Sequence, residues 1–155
     1  MKEKVVWHYK LFNDLSAKEL YQILQLRNEV FVVEQNCIYQ DADDKDYKCG
    51  HLWATINDEI VAYSRIVPKG VSYVNDLSIG RVISNGKFRG LGLGKQLISY
   101  SIETVKTINS EASIRISAQL YLKKFYESFG FKQVSEEYLE DNIPHIEMLI
   151  DHELL

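Results

Sequence analysis

The run Arg89-Gly90-Leu91-Gly92-Leu93-Gly94-Lys95, set between a strand-like stretch and a helix-like one, constrains this chain more than any other segment. Its alternating glycines remove the Cβ atoms that would keep an anion from the backbone. A turn that opens a helix also presents free N–H groups at the positive end of the helix dipole. Arg89 and Lys95 add charge at the two ends. Glycines in such a run equally serve a tight turn that needs only positive φ, so the run alone leaves both readings open. Spacing removes two nucleotide motifs. A P-loop needs glycine where Arg89 stands and Ser or Thr where Gln96 stands. A dinucleotide fingerprint beginning at Gly90 needs glycine at the position of Lys95.

The surrounding periodicity predicts alternating elements. Residues 5–12 read as a strand, and Ser16-Ala17-Lys18-Glu19 is a capping box flanked by Leu15 and Leu20 in hydrophobic-staple positions. Leu20, Ile23, Leu24 and Phe31 recur at helical spacing, with Arg27 on the same apolar stripe. Residues 34–48 are polar and acidic and form a loop that shapes a surface or cleft. Runs 51–56 and 60–67 about Asn57-Asp58-Glu59 predict a hairpin, and 73–84 a third strand leading through Asn85-Gly86 to the glycine run. Leu93, Leu97, Ile98, Ile102 and Val105 make one helix face. A strand at 113–118 follows, then a helix carrying Leu122, Phe125, Tyr126 and Phe129 that stops at Gly130. Strands at 131–138 and after Pro144, around the Asp141-Asn142 turn, complete about seven strands and four helices. The fold class is α/β (α+β), with one mixed, mostly antiparallel sheet flanked by helices.

At 155 residues the chain fits one domain spanning 1–155, and 46% hydrophobic with 26% charged residues is ordinary globular composition. A net charge of −4 argues against nucleic-acid binding. No stretch approaches the roughly 18 apolar residues of a membrane span, and no apolar leader opens the sequence, which predicts a cytoplasmic protein. Cys37 and Cys49 are then expected to be reduced. The acidic run Asp41-Ala42-Asp43-Asp44-Lys45-Asp46 lacks the glycine of a calcium loop and carries Lys45 where a ligand is needed. Cys37, Cys49 and His51 do not make a four-ligand zinc pattern, so no metal is implied.

The motif that remains resembles the R/Q-x-x-G-x-G/A turn of the Gcn5-related N-acetyltransferase (GNAT) superfamily, matched here by Arg89, Gly92 and Gly94. Further on, Tyr126-Glu127-Ser128-Phe129-Gly130-Phe131 is similar to that family's Tyr-x-x-x-Gly-Phe segment. Leu26-Arg27-Asn28-Glu29-Val30-Phe31-Val32-Val33-Glu34-Gln35, His51-Leu52, Ile79-Gly80-Arg81-Val82, Ala118-Gln119 and Ile143-Pro144-His145 look like its bacterial ElaA-type branch. Asn142 stands where that branch has glycine, a change Asn tolerates because it also enters the left-handed region.

The resemblance implies a GNAT-like fold and transfer of an acetyl group from acetyl-coenzyme A to an amine-bearing acceptor by direct attack in a ternary complex. It implies that Val82, Ile83 and Ser84 pair with the pantetheine arm, that Arg89, Gly90, Leu91, Gly92, Leu93, Gly94 and Lys95 hold the pyrophosphate, and that Gln119 touches the cofactor. Tyr126 matches the general acid. Against a thiol of about 8.5, a phenol of about 10 makes full proton transfer unfavourable by roughly 2 kcal/mol, so a hydrogen bond to the developing thiolate matters as much. A core aromatic is the plainer reading of the same residue. A protonated alkylamine needs a base. Glu34, His51, Asp76 and His145 are available, and Glu34 and His145, in branch-like motifs outside the cofactor turn, are favoured, with Glu34 placed among the catalytic residues; a solvated carboxylate or a hydrogen-bonded histidine is the plainer reading of each. Arg27, Glu34, His51 and His145 are the acceptor-side candidates, although Arg27 also fits a packing role with its head satisfying buried acceptors. The alternative function is a non-catalytic acyl-coenzyme A sensor or protein-binding module. A monomer and a homodimer are both compatible with the sequence.

Overall fold

A computed structural model describes residues 4–88 and 90–152. Among the described residues, eight strands fall into two antiparallel sheets. The first has the order β1 (Val6–Leu11), β2 (Gly50–Ile56), β3 (Glu59–Val67), β4 (Ser78–Ser84). The second is centred on β8 (Ile143–Ile150), which pairs with β5 (Ile114–Gln119), β6 (Lys132–Gln133) and β7 (Tyr138–Glu140). Where the sequence predicts one sheet, the structure has two, joined by a parallel bridge between Leu77 and Ile114. Leu77 N donates to Ser113 O at 3.1 Å and Arg115 N to Leu77 O at 2.9 Å. Beyond that bridge β4 and β5 have no ladder between them among the described residues. Two parallel strands that start together and then part leave a gap between their C-terminal halves.

The hairpin expected at residues 51–67 is present. Its two-residue turn places Asn57 at φ 49° and Asp58 at φ 64°, between paired Ile56 and Glu59, which is the primed-turn geometry that matches strand twist. Asp141 and Asn142, at φ 51° and 64°, build the same turn between β7 and β8, so Asn142 meets the conformation for which the resemblance expects glycine. β2 and β3 are buried nearly throughout because both faces of the sheet are covered.

One face packs on α2 (Leu93–Ile108), through Leu97, Ile98 and Val105 against Ala54, Ile56, Val61, Ile114 and Ile146. The other face carries α1 (Ala17–Arg27), whose Ile23 and Leu26 meet Trp53, Ile60, Tyr63 and Ile83. The capping box forms as predicted, with Ser16 Oγ accepting from Glu19 N at 3.1 Å and Glu19 Oε1 from Ser16 N at 2.8 Å, a device worth about 1 kcal/mol. After Arg27 the helix does not end; it widens into a π-helical segment, Asn28–Glu34, that swings towards the gap. The helix predicted near Tyr126 is short, α3 (Lys123–Glu127), and the strand predicted at 131–138 breaks into β6 and β7.

Candidate active site

The gap between β4 and β5 widens into a cleft of about 770 Å³. One wall is β4; the other is the end of β5 with α3; the π-helical segment, the following loop and the β7–β8 turn close its far end. Gly94, in the first turn of α2, lies at its edge.

The glycine turn has the shape an anion needs. Gly90 and Gly92 sit at φ 88° and 69°, a region open to glycine, and a Cβ at either would meet open space, so the glycines are required by backbone conformation and not by crowding. Gly92 caps α2 without a side-chain acceptor, and the N–H groups of the first turn have no intrahelical partner. Leu93 turns its side chain into the core, so only its backbone faces outward, whereas Gly90 and Leu91 are exposed. Arg89 lies outside the described residues. On β4, Ile83 is likewise buried by its side chain and offers its backbone, next to Val82 and Ser84 on the cleft wall.

Tyr126 is fixed by the end of its helix. Gly130 at φ 99° closes α3, with Gly130 N donating to Glu127 O at 3.0 Å and Phe131 N to Tyr126 O at 3.3 Å, the paired bonds of a Schellman cap. Phe125 and Phe131 pack edge-on against the Tyr126 ring at 5.3 and 5.8 Å. Although only 7% exposed, Tyr126 lines the cleft. Burial, with some help from the Tyr121 phenol, pushes its pKa up to about 12, and no hydrogen bond offsets that burial. Its ring is packed away while its hydroxyl makes no hydrogen bond within the described residues, which leaves the oxygen free to meet a ligand in the cleft. Tyr126 is therefore packed as a core aromatic and also lines the cleft.

Gln119 and His145 face each other across the β5–β8 ladder and both line the cleft. The His145 side chain is 8% exposed. Its Nδ1 lies 2.6 Å from Ile143 O, and a carbonyl only accepts, so Nδ1 carries the proton. Nε2 is left facing the cleft side, 3.3 Å from Glu140 Oε2. Glu34 ends the π-helical segment on the cleft rim and is exposed.

Two sequence-predicted acceptor contacts do not reach the cleft. Arg27 is fully buried: Nε donates to Asp41 Oδ2 at 2.8 Å and Nη1 to Asp46 Oδ1 at 2.7 Å, neither of them Glu34. The position on the apolar stripe explains this, because a helix turns that stripe inward. His51 is also fully buried, with Nε2 donating to Asp46 O at 3.1 Å and Nδ1 accepting from the Tyr63 hydroxyl at 2.7 Å. Burial holds its pKa below the usual value, and both nitrogens are already bonded. Asp76 accepts from Arg115 Nε at 2.9 Å and is not on the cleft wall.

The structure adds an ion network that sequence reasoning missed. Asp41, Asp43 and Asp46 turn inward from the acidic loop to Arg27, Arg65 and Arg81. The available signal was charge complementarity: two arginines in otherwise apolar strands and an aspartate run far from them in sequence. Both cysteines are free. No helix among the described residues is long and apolar enough to cross a membrane.

A glycine-capped helix beside parted parallel strands, with a phenol at the gap, makes this cleft the candidate site of an acyltransferase. The GNAT acetyltransferase domain model matches residues 12–152, and the chain belongs to that family. Within it the chain is similar to the ElaA protein of Escherichia coli, 44% identical over 93% of this chain and 95% of that protein. It is equally similar to a UPF0039 protein of Schizosaccharomyces pombe, 44% identical over 92% of this chain and 95% of the relative. The crystal structure of E. coli ElaA superposes with a TM-score of 0.89 at 42% identity, covering 94% of this chain and 99% of that one. An acyl-CoA N-acyltransferase from Pseudomonas aeruginosa gives 0.90 at 41% identity, with coverage of 94% and 99%. The chain is thus an enzyme of the acyltransferase class that uses a coenzyme A-bound acyl donor and an amine acceptor.

Proposed function

We propose that this enzyme transfers an acetyl group from acetyl-coenzyme A to a primary amine, by direct attack within a ternary complex, in the cytoplasm. The observation that carries the reading is Tyr126: a packed ring whose hydroxyl, without a hydrogen bond of its own, lines the gap between β4 and β5 into which a strand-like pantetheine arm would enter. The free edge of Val82, Ile83 and Ser84 pairs with the arm, and the backbone of Gly90 to Lys95, with Lys95 itself, takes the pyrophosphate. Gln119 borders the arm from the β5 side.

An amine attacks the thioester carbonyl once it has lost a proton. His145 Nε2 is suited to accept that proton, since Ile143 O fixes the tautomer and Glu140 stands ready to stabilise the imidazolium. Glu34, which the resemblance places among the catalytic residues, sits at the rim, and its exposed carboxylate suits binding of the incoming ammonium. When the C–S bond breaks, Tyr126 donates a hydrogen bond to the leaving sulfur. With its pKa near 12 against about 8.5 for a thiol, full proton transfer is uphill by about 5 kcal/mol. Tyr126 therefore stabilises the thiolate as a fixed dipole, and solvent supplies the proton afterwards.

The test is a mass-spectrometric screen of primary amines incubated with the enzyme and acetyl-coenzyme A. An N-acetylated product formed over many turnovers is the expected result. Coenzyme A binding without any acylated amine would overturn the reading in favour of a sensor.

A further inference from the structure

The wall of the cleft contains an irregularity that the acyl-transfer reading does not itself explain. Tyr63 pairs with Ile83 and Arg65 with Gly80, so Ser64 of β3 faces two residues of β4, Arg81 and Val82. This is a β-bulge, and Arg81 occupies its left-handed position at φ 49°, where glycine is usual. Neither Arg81 nor Val82 has a ladder partner on β3. Ile79 and Ile83, both buried, pin the strand on either side. Between them the Arg81 side chain is what ties the extra residue down. Its Nε donates to Asp41 Oδ1 at 2.7 Å, and Nη2 donates to Asp41 O at 3.1 Å and Asp43 Oδ2 at 3.4 Å. The guanidinium also lies 5.9 Å from the ring centres of both Phe31 and Tyr39. Asp41 is itself immobilised by Arg27 through its other oxygen.

We propose that Arg81 is a positioning residue whose grip on Asp41 holds the β4 bulge in place, so that the cleft-side backbone of residues 81–84 stays presented to the thioester end of the acyl donor. The proposal rests on the donor assignment made above. Without the tether, a non-glycine residue leaves the left-handed region and the bulge migrates or closes, which re-aims the backbone groups on the cleft wall. The acidic loop thereby acts on the donor site through a strand it never covers in sequence.

Hydrogen exchange of the intact protein with and without coenzyme A tests this, using Arg81→Ala, which removes the tether and leaves a non-glycine residue at the left-handed position. In the wild-type protein coenzyme A is expected to slow exchange at peptide 79–84 by about ten-fold or more, and at peptide 91–96 as well. In Arg81→Ala the slowing at 79–84 falls to about two-fold or less while that at 91–96 persists. Arg81→Lys, which keeps a cation facing Asp41, recovers protection at 79–84 to within about three-fold of wild type. Full protection at 79–84 in Arg81→Ala overturns the proposal, as does parallel loss at both peptides or an absence of protection at 79–84 in the wild type. Protection in the wild type with no acylated product in the amine screen would instead remove the transferase reading and leave the positioning role standing.

Discussion

Arg27 Nε donates to Asp41 Oδ2 at 2.8 Å with the arginine wholly withdrawn from solvent and the aspartate nearly so. The pair is the inner end of a chain of charges that runs Arg27, Asp41, Arg81 and out to the cleft. Removing one partner strands a buried charge, so Arg27→Ala is expected to lower unfolding free energy by about 3–5 kcal/mol. Urea denaturation measures it. A loss under about 1 kcal/mol would mean that Asp41 and Asp46 are stabilised without Arg27.

Acid stability follows from the same network. Burial raises the Asp43 pKa, but the hydrogen bond and charge of Arg65 outweigh it and bring the carboxyl down to about 2; Asp46 is lowered in the same way, with Arg27 as the main opposing partner. An unfolded aspartate titrates near 3.9, so this stabilisation is complete above about pH 4 and disappears as pH falls towards about 2. Stability measured across that window should drop in the wild type and drop less in Asp43→Asn, which is the weaker protein near neutrality. Identical acid slopes in the two proteins would contradict the assignment.

Tyr126→Phe removes the hydroxyl and leaves the packing against Phe125 and Phe131 intact. Turnover is expected to fall about 10²-fold, with coenzyme A affinity and melting temperature nearly unchanged. Because the phenol titrates near 12, the wild-type rate should show no descending limb from this group up to about pH 10. Unaltered turnover in Tyr126→Phe would remove the residue from the reaction.

His145→Gln and Glu34→Gln separate proton acceptance from acceptor binding. The histidine change should lower kcat by about 10²-fold with KM for the amine little changed, while the glutamate change should mainly raise that KM. Steady-state kinetics distinguish them. Reversal of the two patterns would assign the base role to Glu34, the residue nearer solvent.

Much of the local geometry around the proposed donor site was legible in the chain. Glycine at positive φ, a helix opening directly after it and a phenol four residues before a capping glycine are local requirements, and each is met by Gly92, α2, Tyr126 and Gly130. The capping box of α1, the 51–67 hairpin and the inward face of Arg27 were readable for the same reason, since turn chemistry and side-chain period are properties of a few neighbouring residues.

Sequence by itself determined most of the elements that form and where a glycine turn opens α2. Tertiary structure alone decided that β4 and β5 part after Leu77, that His51 is sealed behind Tyr63 and Asp46 whereas His145 reaches the cleft, and that an acidic loop is folded inward onto three arginines. Each of these depends on partners distant along the chain. A histidine or aspartate carries no local mark of its burial, and its role is set by which distant charge or carbonyl the packing brings within reach of a hydrogen bond.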